Sequence, residues 1–310
     1  MKKIQNLLLI SILLSIGLFG KVPKDIKIGI TQIVEHPSLD LSRKGFENAL
    51  KNNGYGDTNI EFQNAQGDFN TAQLIAKGFV DSKKDLIFTI STPSSQAAYN
   101  ATKDIPIVLT AVTDPKAAGL IGKNITGTSD PLPIKEQLEL VKAVFPELKT
   151  IGLIYNTSEQ NSIISIGEIK DECKKIGLLY EEVGVTSIND ISPALDALLP
   201  KVDIIFMTTD NLVVSAISLV IEKSNKANKP VFASTEDQVP KGALMTKTID
   251  FEKIGYRAGE MAIEILKGKA PSEIPIEPPK ENLTIINKKV AEKYGINLGI
   301  DALKSAQVHE

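Results

Sequence analysis

From residue 26 onward the chain alternates between short apolar runs and longer stretches in which apolar positions recur every three or four residues. The runs predict buried strands and the 3.6-residue period predicts amphipathic helices. Strands are predicted over 26–33, 60–64, 86–90, 107–112, 150–155, 180–185, 202–207 and 231–233. Helices are predicted over 39–52, 70–82, 94–102, 162–176, 191–199 and 212–225. Strands that alternate with helices build parallel α/β sheets. The alternation breaks at 127–133, within TGTSDPLP, where two prolines interrupt any periodicity. The pattern therefore predicts two doubly wound lobes of four strands each, with a linker between them.

Open α/β sheets bind ligands outside the carboxyl ends of their strands. In the first half those ends carry Gln32, Glu35 and His36, then Gln66 and Asp68, then Ser91, Thr92, Ser94 and Ser95 in FTISTPSSQ, then Thr113 and Asp114 in TAVTDP. In the second half they carry Asn156, Glu159, Asn161 and Ser162, then Thr209, Asp210 and Asn211, then Glu236 and Asp237. Ser, Thr, Asp and Asn are also the preferred helix caps, so part of this set does nothing but cap. The asymmetry between the halves points further: hydroxyls and helix N-termini suit a carboxylate, while acids suit an ammonium. A cleft with donors on one wall and acids on the other fits a small zwitterion.

Composition narrows the classes. The 310 residues are 42% apolar and 24% charged with a net charge of −3, which supplies no basic field for nucleic acid. One cysteine, Cys173, and two histidines, His36 and His309, leave no basis for an internal disulfide or a thiolate metal cage. Lys2 and Lys3 precede an apolar run over 7–19, shorter than the roughly 20 residues of a membrane span and suited to a secretory signal peptide. Cleavage is expected near Gly20, with no cysteine nearby for a lipid anchor, so the mature protein is expected to be exported, soluble and periplasmic. No G-x-S-x-G elbow, P-loop lysine or G-x-G-x-x-G is present, and a hydrolytic pair drawn from Asp210, Glu236 and Asp237 is the enzyme alternative.

Longer stretches carry a resemblance. KIGITQIVEHPSLDLSRKGFENAL, STPSSQAAYNATKDIPIVLTAVTDPKAAGL, GLIYNTSEQNS, TTDN and IDFEKIGYRAGEMAIEILKG together resemble the family of ABC-transporter substrate-binding proteins that includes the tryptophan-binding TrpX type. The resemblance implies a type I periplasmic-binding-protein fold, in which two Rossmann-like lobes joined by a three-segment hinge close over one small ligand. It implies that residues 21–130 and 248–271 form the N-terminal lobe, and residues 131–247 and 272–310 the C-terminal lobe. The crossovers would fall near 129–133, 247–250 and 269–272. It assigns Ser91, Thr92, Ser94, Ser95 and Thr113 to a ligand carboxylate and Asp210 first, then Glu236 or Asp237, to its ammonium. Asn156, Glu159, Asn161 and Ser162 line the same mouth, with Gln32 and Glu35 on the facing wall and Phe69 and Tyr155 as the nearest aromatics. The implied protein is a monomer without cofactor or metal that binds an amino acid, the family pointing to an aromatic one such as tryptophan or phenylalanine, and delivers it to a membrane permease driven by cytoplasmic ATPases. Presentation to a chemoreceptor or sensor kinase is the alternative partner role.

Overall fold

All eight predicted strands form, and the ones buried along their whole length lie inside the sheets. The computed structural model describes residues 23–310, so the signal-peptide segment lies outside the described residues. The first lobe runs β1 (Lys27–Gln32), α1 (Pro37–Asn52), β2 (Asn59–Asn64), α2 (Phe69–Asp81), β3 (Leu86–Ile90), α3 (Thr92–Ala101), β4 (Ile107–Val112) and β5 (Ile125–Ser129). Its sheet is parallel throughout, in the order β2-β1-β3-β4-β5. β3 and β4 have no exposed position, as strands covered by helices on both faces should.

The second lobe continues with α4 (Ile134–Val144), β6 (Thr150–Asn156), α5 (Gln160–Ile176), β7 (Leu179–Val185), α6 (Ile188–Leu198), β8 (Ile204–Phe206), α7 (Asn211–Ser215), α8 (Ile217–Lys226), β9 (Val231–Ala233) and β10 (Met245–Thr248). After α9 (Phe251–Leu266) it ends with β11 (Leu283–Asn287), α10 (Lys288–Lys293) and β12 (Gln307–His309). Its sheet is ordered β12-β11-β10-β9-β8-β6-β7, with β10 and β11 antiparallel. Each lobe keeps its own core. Phe46 stacks on Phe88 in the first and Phe206 on Phe232 in the second.

The sheets hold five and seven strands rather than four each. β5 was expected to be linker because ITGTS lacks an apolar run, yet every position of it is buried. Its hydroxyls find partners far along the chain: Thr126 Oγ1 donates to the Ile274 carbonyl at 2.7 Å, Thr128 Oγ1 donates to the Ile254 carbonyl at 3.1 Å, and Thr110 and Thr128 pair at 2.9 Å. A polar strand can be buried when its polar groups are satisfied in this way.

α9 crosses back to the first lobe and packs on α1. Ile249, Phe251, Ile254, Ala258 and Met261 all join the first core. The two helix backbones nearly touch: a Cβ on Gly255 would lie 1.9 Å from the Ser42 carbonyl oxygen, and one on Gly45 2.1 Å from that of Glu252. Beyond α9 the chain stays with the first lobe longer than 269–272. Ile274 is in its core, and Glu277 exchanges backbone hydrogen bonds with Gly127 and Ser129 of β5. The third crossover therefore follows Glu277, because residues 274–277 satisfy the outer edge of β5.

Candidate functional site

The two sheets bring the carboxyl ends of their parallel strands face to face. Ten of the fourteen buried side-chain polar atoms that lack a partner among the described residues belong to residues at or just past those ends. On the first lobe they are Thr31 Oγ1, Gln32 Oε1, His36 Nδ1, Ser91 Oγ, Thr92 Oγ1, Ser94 Oγ and Asp130 Oδ1; on the second, Asn161 Oδ1, Thr208 Oγ1 and Thr209 Oγ1. Buried polar groups normally find partners, so such a concentration marks a surface made for something else to satisfy.

Between the lobes lies a cavity with His36, Thr113 and Asp130 on the first wall and Asn161, Thr209, Asn211 and Thr235 on the second. Leu39, Ala111, Val214 and Phe251 supply its apolar lining. The space left open is about 10 Å³, room for one water, so a ligand enters only when the lobes part. A wider groove of about 400 Å³ runs between α9 and residues 277–283, but its central arginine is paired within the protein, Arg257 clasping Glu277 at 2.8 and 2.9 Å.

The Ser91–Ser95 turn sits between the β1 and β4 loops because β3 lies between β1 and β4 in the sheet. Ser91 is the N-cap residue of α3, yet its side chain makes no capping bond. Its backbone has φ 86° and ψ 162°, a conformation almost reserved for glycine. Ser95 alone of the four is satisfied, donating to the Ser91 carbonyl at 2.8 Å and meeting Thr89 at 2.7 Å. Ser91, Thr92 and Ser94 thus offer three buried hydroxyls beside the free N–H groups of a helix start.

The acids divide differently from the expectation. Asp210 caps α7, accepting from the Val213 N–H at 2.8 Å, and its other oxygen takes the Asn156 N–H and the Ser162 hydroxyl at 2.6 Å. Glu159 accepts from the side chains of Asn156 and Asn161, both nitrogens of Asn211 and the Leu212 N–H. Burial first, and the neighbouring Glu159 charge second, push the Asp210 pKa up. This pair therefore ties the loops after β6 and β8 together, and Asp210 is no free partner for an ammonium.

Glu236 is half-buried, its pKa raised by burial and then by Asp250, Asp237 and Glu252. Asp237 is occupied by Ser38, Thr235 and Lys241; despite burial, those hydrogen bonds hold its carboxyl below the usual range. Glu35 is exposed, and Asp114 caps a turn through the Ala117 N–H. Gln32 donates to Val34 and Asp40, leaving its oxygen free. Phe69 is exposed at the start of α2 and Tyr155 packs on the second core, so neither lines the cavity.

The sequence reading missed Asp130 and gave His36 no role. Asp130, 2% exposed and with one oxygen unpartnered, stands on the first crossover, inside the segment read as linker. Burial pushes its pKa up to about 7, against a hydrogen bond with Thr113. His36, named at the first strand end but given no role, is buried and shares the cavity with Asn211 of the other wall; burial lowers its pKa to about 4, so the imidazole is neutral. The only sequence signal for Asp130 was an acid directly after a strand-length segment.

Two α/β lobes, a three-segment connection and an enclosed polar cleft define a solute-binding protein of the periplasmic-binding type. The chain belongs to the ABC transporter substrate-binding protein family, whose pattern matches residues 27–310. It is 50% identical over 274 residues to a tyrosine-binding protein of Clostridioides difficile strain R20291, covering 86% of this chain and 79% of that one. A Streptococcus pneumonia structure described as an ABC domain in complex with L-Trp superposes with a TM-score of 0.89 at 37% identity, over 92% of this chain and 99% of the other. The ligand-free, open structure of a Clostridium difficile substrate-binding protein with adhesive properties gives 0.69 at 42% identity, over the same shares of each chain. The TM-score is thus lower against the open structure although the identity is higher. The family and these relatives are binding proteins, not enzymes.

Proposed function

We propose that the chain is the extracytoplasmic binding component of an importer for an aromatic amino acid, tyrosine or tryptophan. The observation that carries this reading is the set of unsatisfied buried polar atoms facing one another from both lobes. Ser91, Thr92 and Ser94 with the start of α3 hold the carboxylate. Asp130, with Thr113 beside it, holds the ammonium. Asn161 and Thr209 close from the second lobe, and Leu39, Val214 and Phe251 contact the side chain. Ligand bridging both walls favours the closed arrangement by rotation about residues 130–133, 249–250 and 278–282. The closed form then docks on a membrane permease served by cytoplasmic ATPases. A signal peptide cleaved near residue 20 exports it to the periplasm, where it acts as a monomer.

A thermal-shift screen of the amino acids tests the ligand class. Tyrosine or tryptophan at about 100 times its Kd should add roughly 2.7 kcal/mol of stability. An unchanged Tm with every amino acid sinks the proposal.

Ser91→Gly separates strain from binding. Relief of a glycine-only conformation should stabilise the ligand-free protein by about 1 kcal/mol, while loss of one hydroxyl weakens ligand roughly tenfold. Calorimetry on both states checks the opposite signs.

A further inference from the structure

We infer that Ser38 and Asp237 form a latch between the lobes, a pair of positioning residues that set ligand affinity without touching ligand. Ser38 stands in the first turn of α1, fully buried, and its hydroxyl donates to Asp237 Oδ1 at 2.7 Å, 199 residues away and on the other lobe. The acceptor is held ready: Thr235 Oγ1 donates to the same oxygen at 2.8 Å, and Lys241 Nζ pairs with the other at 2.9 Å. The donor is fixed equally well, because α1 is locked against α9 at Gly45 and Gly255. Neither Ser38 nor Asp237 lines the cavity, yet each lies two residues from one that does, His36 and Thr235 respectively. The bond therefore reports closure at the edge of the site and breaks when the lobes separate.

The inference rests on the solute-binding reading and adds a cause of affinity to it. Apparent affinity scales with the population of the binding-competent state, and a charge-assisted hydrogen bond made only on closure raises that population for any ligand. Its loss should act on release, since opening precedes escape. Asp237 then serves the ligand from outside, which explains why a carboxylate at a strand end has every oxygen occupied.

Ser38→Ala should weaken tyrosine and tryptophan by the same factor, about tenfold, through faster dissociation, with the ligand-free Tm unchanged because the open protein lacks the bond. Asp237→Asn keeps an acceptor oxygen and should retain most of the affinity. In a double-mutant cycle, Ser38→Ala combined with Asp237→Ala should lose no more than Asp237→Ala alone. Additive losses, or Ser38→Ala affinity within twofold of the parent, overturn the latch. A ligand-independent arm uses Ser38→Cys with Asp237→Cys under oxidising conditions; Cys173 is buried and does not compete. An interlobe disulfide should form, and its absence overturns the latch. If the parent binds neither amino acid but the disulfide forms, the amino-acid reading fails and the latch stands.

Discussion

Asp130→Asn is expected to weaken tyrosine or tryptophan binding more than 100-fold at pH 8, while raising the Tm of the ligand-free protein. The loss follows from leaving a buried ammonium without its counter-charge, a defect that costs about 3–5 kcal/mol. The gain in Tm follows from removing an ionised carboxyl that burial disfavours. Asp130 has a folded pKa of about 7, above the unfolded carboxylate value. The folded state therefore holds a proton that the unfolded state has lost, and stability of the ligand-free protein falls as pH rises from about 4 to about 7. An ammonium bound beside it favours the ionised form, so binding below pH 7 should release a proton and weaken as pH falls. Calorimetry in buffers of different ionisation enthalpy reads that proton directly. If Asp130→Asn leaves affinity intact and no proton is released, the ammonium is held elsewhere. Asp210→Asn offers the contrast: its carboxylate accepts three protein hydrogen bonds, so its loss lowers Tm.

The second large effect is on stability. Gly255→Ala places a methyl where the Ser42 carbonyl oxygen stands only 1.9 Å away. Backbone cannot rotate aside as a side chain does, so α1 and α9 must separate. The expected cost is about 3 kcal/mol, and Tm should fall by about 6 °C. Because α1 carries Ser38 and follows His36 while α9 begins with Phe251, affinity should fall too. A Tm within 2 °C of the parent, which is about the scale of 1 kcal/mol, would mean the helices are not in close contact.

The doubly wound architecture was legible because apolar runs and helical periodicity report burial, and burial is what stacked α/β layers demand. β5 was not, since its burial depends on hydroxyls matched to Ile254 and Ile274, partners more than 120 residues distant. The same error hid Asp130: once 127–133 was read as linker, its acid could not be placed at a strand end. The serine turn after β3 was legible because hydroxyls follow directly on an apolar strand. Its strained Ser91 backbone was not, because no residue type announces a positive φ that glycine would normally occupy. Asp210 was misread for another reason. An acid that caps a helix and one that faces a ligand share the same sequence position, and only the count of donors around it separates them.

Asp130 sits on a crossover segment, and a point near a rotation axis sweeps little arc. On the proposed reading, a ligand ammonium gripped there would keep its partner while the lobes swing, much as a hand near a door's hinge feels little travel. Charge would then be checked at first encounter, before closure. Asn161 and Thr209, on the opposite wall, move with the second lobe and would meet the ligand last. Such an order would reject uncharged look-alikes early, without a full cycle of motion.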